Sequence, residues 1–154
     1  MKNRSLFYAA LFFGIIILDR VSKWCVLTFL SSSYRITSFL ELTKTMNRGI
    51  SWGFFNSAPE YAYWIITFVI GAFCMMLICY AWQRAARGFS IVGEMLIIAG
   101  GLSNFIDRIM YSGVVDFILV SFGQWSWPVF NVADAAIVIG AGLMIIESFG
   151  GKSK

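Results

Sequence analysis

Long apolar runs separated by short polar breaks dominate this chain, and four of them approach the length that a bilayer requires. About 20 apolar residues cross a hydrocarbon core of about 30 Å as a helix, which places expected spans at roughly 6–29, 61–82, 90–109 and 128–147. The second run, YAYWIITFVIGAFCMMLICYAW, carries no charge. The third is clean only from Ser90 to Ile106, with Glu94 near its start and Asp107 and Arg108 at its end. The first is interrupted at Asp19, Arg20 and Lys23, so the expectation is that Leu6 to Leu18 crosses and those charges sit in the outer leaflet or interface. The fourth begins at Pro128, a residue favoured in a helix's first turn. Between the spans the period changes. YRITSFLELTKT alternates loosely, and VVDFILVSF is β-branched and aromatic between Gly113 and Gly123. These two segments are predicted to pair as a small sheet at the outer membrane surface.

Composition strengthens the membrane reading. The chain of 154 residues is 59% hydrophobic and 13% charged, with mean hydropathy +0.77. Soluble domains carry about 25% charged residues, so the expected class is an all-α polytopic membrane protein with four transmembrane helices and a small extracytoplasmic β-like element. Its length suits a single membrane-embedded domain over 1–154. Lys2 and Arg4 precede an apolar run as in a signal peptide, but no small-x-small cleavage site follows, so an uncleaved first helix is expected.

Charge then orients the bundle. Lys2, Arg4, Arg84, Arg87, Lys152 and Lys154 flank the spans on one side, which the positive-inside rule makes cytoplasmic. Both termini are then cytoplasmic, and residues 30–60 and 107–127 face outward, although Arg35, Lys44 and Arg48 weaken the bias. Trp125 and Trp127 suit an interfacial belt. Net charge is +4, yet no basic run marks a nucleic-acid surface. Cys25, Cys74 and Cys79 read as packing residues, and with no histidine in the chain no metal site is expected.

The carboxylates carry the candidate chemistry. An acid near the membrane midplane costs about 2.5–3.5 kcal/mol and is retained mainly for chemistry or transport. Asp116 lies in VVDFI and Asp134 in FNVADAAI. Asp116 alone could be a solvated loop residue; paired with Asp134 it becomes a candidate for peptide hydrolysis. Two neighbouring aspartates share one proton, so one activates water while the other polarises a carbonyl. Their titration belongs to the pair.

Helical spacing groups the other polar residues. Asp19 and Lys23, four apart, share a face and neutralise each other. Asn104, Asp107 and Arg108 share another, with Asp107 and Arg108 readable as an ion pair at the membrane edge or as substrate positioning. Asn131, three before Asp134, either caps its helix or orients the site. Glu94 and Glu147 are expected to reach the cytoplasmic interface. With the N-terminus inside, these clusters are expected to fall at similar depth near the outer leaflet and to converge on a polar pocket.

The ordered set LDRVSK (18–23), NRGISWGFF (47–55), GGLSNFIDR (100–108), VVDFI (114–118) and FNVADAAI (130–137) resembles the lipoprotein signal peptidases of bacteria. Two departures stand out: Leu102 and Ser103 follow the paired glycines where small residues are usual, and Trp52 replaces a common Phe. The resemblance implies an aspartyl endopeptidase of the bacterial inner membrane that cuts diacylglyceryl-modified prolipoproteins on the amino side of the modified cysteine. It implies Asp116 and Asp134 as the catalytic pair. Asn47, Gly49, Asn104, Arg108 and Asn131 would line or shape the substrate site, with Asp19, Lys23 and Asp107 in support. It further implies membrane lipid and globomycin-type cyclic peptides as ligands, a monomer as the working unit, and no cofactor.

Two other classes compete. A small four-helix transporter would use Asp19 as its membrane acid, but such proteins have brief loops. A non-catalytic assembly or lipid-binding subunit would use the carboxylates only for helix contacts. Rhomboid-like proteolysis is excluded by the lack of histidine.

Overall fold

Each apolar run forms a helix, and the two β-like segments meet in a sheet. The computed structural model describes residues 2–49 and 59–150. In chain order these are α1 (Lys2–Phe29), β1 (Tyr34–Arg35), β2 (Leu40–Asn47), α2 (Glu60–Ala86), α3 (Val92–Tyr111), β3 (Val114–Phe122), β4 (Trp125–Ser126) and α4 (Val132–Gly150). Trp52 and most of NRGISWGFF lie outside the described residues.

Among the described residues three helices, α1, α2 and α4, are long and apolar enough to cross a membrane. They expose large side chains such as Phe13, Trp24, Phe68 and Ile146, which suit lipid contact. The remaining helix, α3, is different: it packs against the other three and holds Glu94, Asp107 and Arg108 buried. Glycines permit that central position. A Cβ on Gly140 would lie 2.6 Å from the Gly93 carbonyl, and one on Gly93 would lie 2.8 Å from the Gly140 carbonyl. Small residues let the α3 and α4 backbones approach this closely.

α1 runs unbroken to Phe29, in line with the expected span of 6–29, and turns Asp19 and Lys23 inward onto α3 and α4. Burial of charge corrects one expectation, that for Glu94. The Glu94 side chain does not reach the protein surface. It is fully buried because α3 is enclosed by its neighbours, and Arg84 at the end of α2 meets it at 2.9 Å. The same guanidinium reaches the exposed Glu147 of α4 at 2.7 Å, so one arginine ties three helices.

The predicted pairing of the two β-like segments is present. The sheet is antiparallel in the order β1-β2-β3-β4, with Thr45 opposite Asp116 and Asn47 opposite Val114. The first segment is a hairpin, not one strand, because the Thr37 hydroxyl accepts the Leu40 N–H at 3.1 Å and turns the chain. Gly123, at φ +60°, makes the tight turn from β3 to β4. Trp125 and Trp127 are exposed beside Phe122, as a belt would require.

Pro128 is not in the first turn of α4, which starts at Val132. The intervening chain adheres to β3 instead: Phe130 accepts the Ile118 N–H at 2.8 Å and donates its own to the Ile118 carbonyl at 3.0 Å. That attachment sets where α4 begins, and therefore where Asp134 stands.

Candidate active site

The site grows from the first turn of α4. Asn131 caps the helix by accepting the Asp134 N–H at 2.9 Å, and the Asp134 carboxylate accepts the Asn131 N–H at 3.2 Å. This reciprocal pair is a capping box. It fixes Asp134 Oδ2, while Oδ1 accepts a bond from Asn104 Nδ2 of α3 at 2.8 Å. Because the Asn131 oxygen faces Asp134, its amide nitrogen faces the other way. There it donates to Asp116 Oδ1 on β3 at 2.7 Å and to Asn104 Oδ1 at 3.1 Å. The cap and the orienting role proposed for Asn131 as alternatives are thus one arrangement.

Asp116 is held on its other side by the neighbouring strand. Asn47 Nδ2 donates to Asp116 Oδ2 at 3.0 Å, and Asn47 Oδ1 accepts the Gly49 N–H at 3.0 Å. Both aspartates line a cavity of about 580 Å³ whose wall includes Ile70, Phe73 and Ile137 as well as Arg108. Two carboxylates from separate elements therefore face one apolar-walled space.

Arg108 does not pair with Asp107. Its Nη2 donates to the Gly49 carbonyl, and its guanidinium lies 5.4 Å from the centre of the Tyr63 ring. Tyr63 in turn donates its hydroxyl to the Arg108 carbonyl at 2.8 Å. Among the described residues Arg108 Nη1 has no hydrogen-bond partner although it is buried.

Asp107 turns to α1 instead. Arg20 approaches one of its oxygens at 2.5 Å, and Lys23 the other at 2.7 Å. Lys23 also meets Asp19 at 2.7 Å and donates to Asn104 Oδ1 at 2.9 Å. Asp19 accepts Ser103 Oγ at 2.7 Å and the Ala133 N–H in the first turn of α4 at 2.9 Å. A carboxylate there is favoured by the positive end of the helix dipole. Two acids and two bases make this cluster neutral, and it locks α1, α3 and α4 together beneath the aspartates.

Residues 11–150 match the family described as Signal peptidase (SPase) II. The chain belongs to that family. This peptidase is 39% identical to the lipoprotein signal peptidase of Burkholderia thailandensis, over 86% of this chain and 81% of the relative. The same identity and coverage relate it to the lipoprotein signal peptidase of Burkholderia mallei. A bacterial membrane enzyme solved by the in meso method at 2.3 Å resolution is similar at TM-score 0.80 and 30% identity. That match covers 96% of this chain and 90% of the solved one. A second such structure, at 1.9 Å resolution, gives TM-score 0.76 and 31% identity over 96% and 94%. With three apolar helices, the peptidase is a multi-pass membrane protein.

The structure of this signal peptidase II chain gathers all ten residues singled out beforehand: Asp116, Asp134, Asn47, Gly49, Asn104, Arg108, Asn131, Asp19, Lys23 and Asp107. Three participants were missed. Tyr63 read as one more aromatic at a helix end, and nothing in its neighbours distinguishes it. Arg20 and Ser103 did carry a signal. Arg20 adjoins Asp19, and Ser103 precedes Asp107 by four residues on the same helical face. Ser103 supplies a bond to Asp19.

Asp116 lies on the sheet, outside the spanning helices. Burial first, then the nearby charge of Asp134, pushes its carboxyl up from an ordinary 3.8 to about 7 against the opposing bonds from Asn47 and Asn131. The native protein therefore binds a proton that the unfolded chain releases between about pH 4 and 7. By linkage this group's contribution to stability is fully present below about pH 4 and is lost as pH rises through about 7. Asp116→Asn removes this carboxyl from the titrating pair. Its Tm relative to wild type is expected to climb as pH rises across that window, measured by thermal unfolding in detergent. A constant difference from pH 4 to 7 would refute the raised carboxyl.

Proposed function

We propose that this protein is a membrane aspartyl endopeptidase that removes the signal peptide from diacylglyceryl-modified prolipoproteins, cutting on the amino side of the modified cysteine. The observation that carries this reading is Asn131 holding Asp116 and Asp134 together on the wall of one cavity. Membership of the signal peptidase II family, and relatives named lipoprotein signal peptidase, support the substrate class.

The mechanism follows from the shared proton. One aspartate takes a proton from water as the oxygen attacks the scissile carbonyl; the other, protonated, donates to the carbonyl oxygen. The proton gained from water then passes to the departing amine. Arg108 Nη1, buried at the cavity without a described partner, is suited to hold a substrate carbonyl. The apolar wall suits a signal helix and its lipid. Globomycin-type cyclic peptides would compete for this same space.

In this reading α3 also crosses the bilayer, its charges sheltered by the other helices, and a monomer suffices because the site is completed within one chain. The termini lie in the cytoplasm and the sheet faces outward at the bacterial inner membrane, clamping the substrate near its lipidated cysteine. No cofactor takes part. A small transporter would need Asp19 open to a solute path, but Asp19 is fully buried and bonded to four partners.

The test is direct. Purified protein given a diacylglyceryl-modified prolipoprotein is expected to release the signal peptide with the modified cysteine as the new N-terminus, read by mass spectrometry. Equal cleavage of the unmodified precursor, or none of either, would defeat the proposal.

A further inference from the structure

We propose that Lys23 is a positioning residue for the aspartate pair, acting through Asn104. The inference rests on the peptidase reading and deepens it. An asparagine side chain presents an oxygen on one side and an NH2 on the other, and in most settings it can rotate to exchange them. Asn104 cannot exchange them without loss, because Lys23 is a donor with no acceptor.

The three ammonium protons of Lys23 match three acceptors: Asp19 Oδ2 at 2.7 Å, Asp107 Oδ2 at 2.7 Å and Asn104 Oδ1 at 2.9 Å. Lys23 is buried, so water does not substitute for any of them. With its oxygen held toward Lys23, Asn104 must turn its NH2 toward Asp134 Oδ1, at 2.8 Å. The same oxygen accepts from Asn131 Nδ2, whose amide also donates to Asp116 Oδ1. Both aspartates thus sit at the ends of donor chains that begin on α1. Asp19 and Asp107 place the ammonium, and Arg20 completes their charge balance. A cation serving only to neutralise Asp19 and Asp107 would not need to point at an amide oxygen.

A double-mutant cycle separates the two roles. Lys23→Met keeps the stem and removes the donors; Asn104→Leu removes the amide through which they act. In wild type, Lys23→Met is expected to lower kcat on the order of 30-fold with KM nearly unchanged, a fraction of the roughly 100- to 10,000-fold that a correctly placed acid or base supplies. In the Asn104→Leu background the same substitution is expected to cost less than about threefold, because the relay is already broken. An equal loss in both backgrounds would overturn the proposal and make Lys23 a counter-ion alone.

Should Lys23→Met not fold, Lys23→Met/Asp107→Asn keeps the cluster neutral and replaces it in the cycle, judged by thermal unfolding in detergent. Failure of both forms to fold would assign Lys23 to the fold and overturn the relay as well. A wild type unable to cleave lipid-modified prolipoprotein overturns the functional reading itself, and is recognised before any variant is made.

Discussion

Asp116→Asn and Asp134→Asn are each expected to lower cleavage of lipid-modified prolipoprotein by roughly a thousandfold or more, the scale set by general acid–base catalysis. The fold should survive both changes, and the magnitudes say why. At position 134 an amide oxygen can still accept one of the two bonds, from Asn131 or from Asn104, while its NH2 faces the other donor. Leaving one such buried donor unsatisfied costs about 1–3 kcal/mol. A thousandfold loss of rate corresponds to about 4 kcal/mol at the transition state. Activity therefore falls far more than the folded fraction, and rate measurements paired with thermal unfolding distinguish the two. A variant cutting at near wild-type rate would reduce that carboxylate to a structural group. Asp107 could not easily replace it, since Arg20, Lys23 and the Val115 N–H already occupy both its oxygens.

The positions of the aspartates were legible because burying a charge in an apolar run is expensive, whatever the fold. The β-like character of 114–122 was equally plain from its branched and aromatic side chains. Partner choice was harder. Asp107 and Arg108 are adjacent in sequence, yet neighbours on a helix diverge by about 100°, so one faces α1 and the other the cavity. Adjacency suggested a pair where geometry forbids one. Glu94 and Pro128 failed for a related reason. Local pattern places a charge near a helix end and a proline at a helix start. What decided them were tertiary facts: the enclosure of α3 and the attachment of Phe130 to β3. The function of Asn131 was readable only as two options, because a single side chain using both faces of its amide needs three dimensions to be seen.

Asn131→Asp tests that double use, and at neutral pH it is expected to lower activity on the order of a hundredfold. The substitution preserves shape and cap, since aspartate serves as well as asparagine at the start of a helix. What changes is the group facing β3. Asn131 Nδ2 now donates to Asp116 Oδ1 at 2.7 Å and to the Val115 carbonyl at 3.3 Å. An ionised carboxylate there would set acceptor against acceptor and bring a third negative charge to the pair. Like charges this close resist joint ionisation, so the site would take up an extra proton as the pH falls. The new carboxyl, once protonated, can again donate to Asp116. The ratio of variant to wild-type kcat is therefore expected to rise from about pH 8 to about pH 5, with little change in unfolding temperature near neutrality. Asn131→Ala offers the contrast. It removes cap and bridge together, costs about 1 kcal/mol of stability, and leaves nothing for protonation to restore. Full activity of Asn131→Asp at neutral pH would leave Asn131 with the cap alone, and the two aspartates would then owe their geometry to β3 and α4 without a bridge between them.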